Sequence, residues 1–336
     1  MFKGKITILL TTILISSTSL VNGEEKKTDN IILGGRYFKE HKIEQEIEVD
    51  NDEEYYSLER FFRPSNTPIL NTKRNLLSID DYNKNPSDIK INEDLLKTPE
   101  DTIVNYFSIL REAANPLDNT KTGCGSLGDT KGPYPYAYNF LSKSYKDKVS
   151  YNEYLNSFKN QLHINLIKLN KVPPSKGSND IKYFVELEII EGTDQAKGVF
   201  AYYYGYIYLE KEDDLYKIKN MEYTPENYLC APYHSWNWDA KSFVEIEYGN
   251  WCSLIDGDVT VKDSGYERRV YFKDKDKNEY YVLFYELTNG VDIKIADYKK
   301  NKDGEWELIY IEPEKCLDNK NTTNKWWICI LYSIKK

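Results

Sequence analysis

The chain has 336 residues, a formal net charge of −9, five Cys and only three His. An acidic chain with no basic block is a poor partner for nucleic acid, whose phosphates would repel it. With five Cys and no C-x-x-C pair, zinc and thioredoxin-like chemistry have little to build on.

The first residues, MFKGKITILLTTILISSTSLVNGEE, place Lys3 and Lys5 before an apolar run from Ile6 to Ile15. Val21 and Gly23 supply small residues before a cut ahead of Glu24. That layout is a secretory signal peptide, residues 1–23, because the apolar run is shorter than the roughly 20 residues a membrane span needs. Losing Lys3 and Lys5 takes the net charge from −9 to −11. The mature chain is expected outside the cell, secreted or at its surface, meeting the membrane only through secretion. Export permits disulfides, and the pairing among Cys124, Cys230, Cys252, Cys316 and Cys329 stays open. Cys316 with Cys329 is one arrangement, and Cys252 with either is another.

Residues 24–96 read as an acidic spacer. Within it Ile43, Ile47 and Val49 alternate with Glu44, Glu46, Glu48 and Asp50, which suits an edge strand with a solvated acidic face. A disordered linker is the competing reading of the segment. Order is expected to begin at TPEDTIVNYFSIL. Thr98 is an N-cap, Pro99 suits the first helical position, and Glu100 and Asp101 lie at the positive end of the helix dipole. Ile103, Phe107, Leu110 and Ala114 then make one apolar face, and Asn115-Pro116 closes the helix. The loop GCGSLGDTKGPYPY lacks phosphate-loop spacing. A short helix follows at YAYNFLSKSYKD, and another after the capping-box pair Ser150 and Glu153.

The period then changes to two. LHINLIKLNKV, IKYFVELEIIEG, KGVFAYYYGYIYLEKE and DLYKIKNMEYT read as four successive strands. In the third, Val199, Ala201, Tyr203, Ile207 and Leu209 share one face, while Phe200, Tyr202, Tyr204, Tyr206 and Tyr208 share the other. Helices first and an antiparallel sheet afterwards give an α+β chain. TPEDTIVNYFSIL, YAYNFLSKSYKDKVSYNEYLNSF and the strands ending LYKIKNMEY together resemble the nuclear transport factor 2-like fold, over residues 97–230. The resemblance implies helices packed in a curved antiparallel sheet that forms a cone, as in secreted or envelope proteins of Gram-positive bacteria. It carries no catalytic signature, because members of that family include isomerases, hydrolases and proteins without known chemistry.

Residues 231–336 read as an antiparallel β domain without a helix. Its strands are expected in KSFVEIEYGNWC, DVTVKDSG, ERRVYFKDKDKNEYYVLFYEL, VDIKIADYKKNKDGEWELIYIEP and KWWICILYSI, with a hairpin turn at Asp303-Gly304. Asp274, Asp276 and Asn278 match the first ligands of a calcium loop, but Glu279 and Tyr285 stand where Gly and Glu are needed, so a charged turn is the better reading.

Three groups are candidates for function. His234, Trp236, Trp238 and Asp239 form an aromatic string that would serve as a platform for sugar rings or peptide, or as a plug between the two halves. Tyr202, Tyr204 and Tyr206 would line a pocket if their face is open. Glu186 and Glu188 could act as bases in a cone enzyme, although alternation with apolar residues puts them on a solvated face. No hydrolase elbow, zinc motif or nucleotide loop is present, so no cofactor or metal is expected. The sequence therefore favours a binding or assembly protein that recognises a protein or cell-wall polymer through aromatic surfaces. An extracellular cone enzyme and a carbohydrate-binding module are the alternatives.

Overall fold

The computed structural model describes residues 31–38, 63–74, 76–77, 84–116, 131–192, 198–226 and 235–319. The chain is α+β, mostly sheet with few helices, and its strands form two sheets. Strands β1 (Ile31–Ile32) and β2 (Gly35–Tyr37) make a small hairpin inside the segment read as spacer. Its turn holds Leu33 at φ 53° with the side chain fully buried, so core burial offsets the backbone strain. The acidic edge strand expected at 43–50 lies outside the described residues.

Helix α1 (Pro99–Leu110) starts as its sequence predicts, with the Thr98 side chain accepting the Asp101 N–H at 3.0 Å. Ile103, Phe107 and Leu110 are fully buried. The short helix expected next divides into α2 (Pro133–Tyr138) and α3 (Lys143–Lys146). They break because Leu141 bridges to Ile218 and the Ser142 N–H bonds the Ile218 carbonyl. Helix α4 (Tyr151–Asn156) opens on a capping box in which Ser150 and Glu153 each satisfy the other's backbone N–H.

Four long strands follow: β3 (Gln161–Val172), β4 (Ile181–Gly192), β5 (Gly198–Glu212) and β6 (Leu215–Pro225). With the hairpin they form one sheet in the order β1-β2-β6-β5-β4-β3, with β2 parallel to β6. The outer edge of β3 is covered. Leu70 donates to the Leu166 carbonyl, and the Asn71 side chain accepts from Leu166 N while donating to Phe107 and Ile164 carbonyls. A fully buried amide thus stitches helix to strand and occupies an edge that would otherwise invite pairing.

One face of this sheet packs on the helices. Val185, Leu187, Ile189, Ile207 and Met221 meet Tyr106, Phe107, Phe140, Tyr154 and Phe158, all fully buried. The phenols inside are paired. Tyr106 and Tyr154 bond at 3.1 Å, and Tyr145 donates to the Gly34 carbonyl. The space under the sheet is filled by the protein's own aromatics.

The second sheet begins with a correction. KSFVEIEYGNWC, read as a strand, is helix α5 (Ala240–Val244) running into a π-helix (Glu245–Trp251). Val244, Ile246 and Tyr248 fit a period of two, but Ala240, Val244 and Tyr248 also fit a helix face. The Asp239 side chain accepts the Ser242 N–H at 2.7 Å, and that cap decides the outcome. Strands β7 (Thr260–Ser264), β8 (Glu267–Lys273), β9 (Glu279–Glu286), β10 (Asp292–Lys300) and β11 (Trp306–Ile309) follow as consecutive antiparallel neighbours. Gly304 takes φ 86° in the β10–β11 turn, as the Asp303-Gly304 signal requires. Asp274 accepts from Asp276 N, Asn278 N, Asn278 Nδ2 and the Tyr280 hydroxyl, so its carboxylate shapes a charged hairpin turn. Helix α6 (Pro313–Asn319) is tied back by a disulfide between Cys252 and Cys316. KWWICILYSI lies outside the described residues.

Gly205 sits where β5 presses on β6: an added Cβ would lie 1.8 Å from the Glu222 backbone oxygen. Gly205→Ala is therefore expected to cost about 3 kcal/mol through forced separation of the strands. Urea unfolding would read this as a lowered midpoint, and an unchanged midpoint would contradict so close a pairing.

Candidate functional site

The other face of the first sheet carries five of the residues singled out, Glu186, Glu188, Tyr202, Tyr204 and Tyr206. Period two, with a register shift in β3 between Leu166 and Lys168, puts Asn165 and Lys168 of β3, Phe184, Glu186 and Glu188 of β4, and Tyr202, Tyr204 and Tyr206 of β5 together. This face is not solvated where Glu186 and Glu188 stand, for both are fully buried. The second sheet covers it. Phe184 and Tyr204 pack with Leu283, Tyr285, Leu287 and Val291 in a seam between the sheets, and the Phe184 and Tyr285 rings meet edge to face at 5.1 Å.

Glu186 lies 2.6 Å from Lys168 Nζ, and its other oxygen accepts the Thr288 N–H at 2.8 Å. The same ammonium donates to the Glu286 carbonyl at 2.6 Å. The turn between β9 and β10 is thus gripped by one ion pair from the first sheet. Glu226 stands beside Glu186, and burial, then the Glu186 charge, raise its carboxyl well above the usual range. It keeps its proton, because two carboxylates so placed cannot both be ionised out of water. At the far end Glu188 accepts from Arg63 Nε at 2.5 Å, Asn165 Nδ2 at 3.0 Å and the Tyr202 hydroxyl at 2.9 Å. His163 bonds Asn165 Oδ1 at 3.0 Å, and burial, then the Arg111 charge, push its imidazole below the ordinary value. Glu186 and Glu188 are each engaged by partners from their own chain, an arrangement suited to holding elements together.

The predicted site residues separate. Tyr202 serves Glu188, and burial with that carboxylate pushes its phenol up. Tyr204 is buried in the seam, with its ring stacked on Phe184 at 6.5 Å. Tyr206 is half-buried, edge-on to Phe184, with Lys182 Nζ 3.7 Å from its ring centroid. Burial, then Glu222, push the Tyr206 phenol up to about 12. Trp238 packs against the seam. Trp236 turns away to meet Trp251 edge to face at 5.7 Å and Phe243 at 6.4 Å. The two indoles do not share a platform. His234 lies outside the described residues.

The second sheet carries an aromatic surface that the sequence reading missed. Tyr271, Tyr281 and Tyr298 are direct partners across β8, β9 and β10, and Trp306 of β11 closes the group. Tyr281 stacks on Tyr298 at 4.6 Å and meets Trp306 edge-on at 4.7 Å, while Tyr271 contacts both Tyr281 and Trp306. All four rings are half-exposed. Lys262, Arg269 and Lys300 stand over Tyr271, Tyr281 and Trp306, at 5.1, 5.9 and 5.8 Å from their centroids. Burial, then the neighbouring Tyr298, push the Tyr281 phenol up to about 12, so it presents a neutral hydroxyl. Each ring looks unremarkable within its own strand. The signal was the register, set by the turns at 274–277 and 287–290, which brings Tyr271, Tyr281 and Tyr298 into line, while Trp306 pairs with Lys300 and joins the group through its ring.

Among the described residues, no group of three His, Cys, Asp or Glu is placed to hold a metal ion, and no helix is long and apolar enough to cross a membrane. No family model, no curated protein and no solved structure matches this chain.

The proton on Glu226 gives the seam a pH dependence. A carboxyl raised on folding holds a proton that the unfolded chain releases above its ordinary value of 4.5, so stability falls as pH rises past that point. Glu226→Gln removes the release. From pH 5 to 7 the wild type is expected to lose more stability than the variant, by about 1.4 kcal/mol per pH unit at most. Urea unfolding of both at the two pH values measures the difference, and parallel profiles would contradict a retained proton.

Proposed function

We propose that this chain is a binding protein of the cell exterior and that the strip of Tyr271, Tyr281, Tyr298 and Trp306 is its contact surface. One observation carries the reading: three half-exposed tyrosine rings lie in register across three strands, Trp306 of the fourth strand packs on two of them, and cations flank the group. Flat aromatic faces with hydroxyl and indole donors suit the faces of sugar rings in a cell-wall polymer, and equally the side chains of a protein partner. Tyr and Trp contribute most to such contacts because they supply large area at low entropic cost.

The architecture we infer around the strip is a nuclear transport factor 2-like cone over residues 97–230, followed by a β-rich domain over 231–336. Four long antiparallel strands wrapped over α1–α4 support the first part. A separate core of Val244, Tyr248, Val270, Val282 and Phe284 supports the second. A role in recognition is supported over catalysis in the cone because the interior is packed with tyrosine and phenylalanine. Glu186 and Glu188, the residues a cone enzyme would call on, are engaged by Lys168, Arg63, Asn165 and Tyr202. The signal-like first 23 residues support export.

The test is capture of residues 24–336 on purified cell-wall polymer and, separately, on surface-protein extract. Tyr281→Ala with Trp306→Ala is expected to lower capture about tenfold or more, as truncated aromatic anchors do. Trp236→Ala, which alters a ring outside the strip, is expected to leave capture unchanged. Equal capture by wild type and the strip variant would move the contact surface elsewhere.

A further inference from the structure

A second site lies away from the strip. The chain from Ile89 to Leu96, the turn after α2, helix α3 and the β5–β6 hairpin enclose a cleft of about 580 Å³. That is within the range of small-molecule sites. Its walls are apolar where Ile89, Ile91, Leu141 and Leu215 line it, and its charged lining is Lys90, Lys143, Lys146 and Lys217 against Glu93 and Glu212. A surplus of cations is unexpected in a chain with net charge −9.

Two of these lysines are half-buried. Lys217 Nζ donates to the Asn139 carbonyl at 2.7 Å, and Lys146 Nζ donates to the Asn139 side-chain oxygen at 3.1 Å. Both ammonium groups therefore converge on one residue. Among the described residues no carboxylate comes within ion-pair distance of either, and Glu212 is engaged by the Lys143 N–H at 2.7 Å. Like charges brought together in a part-desolvated cleft are unfavourable unless something opposite joins them. Burial, then the Lys146 charge, push Lys217 down to about 8, and burial lowers Lys146 as well.

We propose that this cleft binds a small amphiphilic oxyanion, a phosphate or carboxylate head carried on an apolar body. The head sits against Lys146 and Lys217 and the body lies along Ile89, Ile91, Leu141 and Leu215. Glu212 acts on both amines from beyond ion-pair distance, the anion supplies an opposite charge in direct contact with them, and the aliphatic wall separates such a ligand from inorganic phosphate. Affinity falls as pH rises through about 8, because Lys217 loses its proton there and the anion then meets a neutral amine. Lys90, Lys143, Glu93 and Glu212 line the same cleft, and none of them takes the place of that lost charge.

Isothermal titration of residues 24–336 with octyl phosphate at pH 7 tests this, with inorganic phosphate and octanol as separate arms. Saturable binding of octyl phosphate is expected, at least tenfold tighter than inorganic phosphate, with no binding of octanol. Lys217→Met and Lys146→Met, checked for folding by circular dichroism, are each expected to weaken it at least tenfold. At pH 9 the wild type is expected to bind at least fivefold more weakly than at pH 7. Lys217→Arg, which stays charged, is expected to lose less affinity than the wild type between the two pH values. Absence of saturable binding by octyl phosphate overturns the proposal, as does binding that both Met variants retain. Equal affinity for octanol overturns the assignment of the head group. A pH profile unchanged by Lys217→Arg overturns the role of Lys217.

Discussion

The ion pair between Lys168 and Glu186 is the contact on which the arrangement of the two sheets depends. Both side chains are buried on the face of the first sheet that the second covers. Taking two charges out of water costs several kcal/mol, and their attraction offsets this only when the remaining donors and acceptors are also satisfied. Here the missing partners come from the other sheet: the Glu286 carbonyl for Lys168 and the Thr288 N–H for Glu186. The β9–β10 turn must therefore sit in one place. From its other side Arg268 reaches Glu286 at 3.0 Å and Asp292 at 2.9 Å, and Asp292 also accepts the Ala240 N–H ahead of α5. Apolar contact between Phe184 and Tyr285 supplies area, and the charges supply position.

That constraint explains where function is left to reside. The first sheet has no free face, since one side is filled by helices and tyrosines and much of the other is sealed by the seam. Its carboxylates are committed to holding elements together. Surfaces remain at the periphery: the aromatic strip on the second sheet and the lysine-lined cleft at the end of the β5–β6 hairpin. The tyrosine content, 30 residues against two Met, serves both demands. A phenol can be buried if its hydroxyl finds a partner, as Tyr106 does with Tyr154, or left half-exposed with its ring offered to a ligand, as Tyr281 is.

Much of the first sheet was legible because local signals agree there. Thr98 and Pro99 fix the start of α1, Ser150 and Glu153 fix α4, and four strands alternate over 11 to 15 residues. The hairpin at 31–37 escaped because strands of two and three residues are too short to show a period. Helix α5 escaped because Val244, Ile246 and Tyr248 satisfy a period of two while Ala240, Val244 and Tyr248 satisfy a helix face, and the Asp239 cap distinguishes them. Burial of Glu186 and Glu188 could not be read locally, since alternation tells which face a residue takes and not what covers that face. The strip and the cleft depend on register and on distant segments meeting, which no window of sequence contains. Cys252 with Cys316 was one of several open pairings until α5 with its π-helix and α6 placed them side by side.

The most direct test of the seam uses an accident of composition: all six Trp lie at or beyond residue 236, so tryptophan fluorescence reports the second half alone. Lys168→Met leaves Glu186 buried without its cation, a change that costs about 3–5 kcal/mol in comparable sites. Unfolding in urea would be followed by fluorescence and, in parallel, by hydrogen exchange of the β4 and β5 amides. The account predicts coincident transitions in the wild type, and in the variant a fluorescence transition at lower urea while the β4 and β5 amides stay protected. A variant whose two probes still coincide at the wild-type midpoint would contradict it.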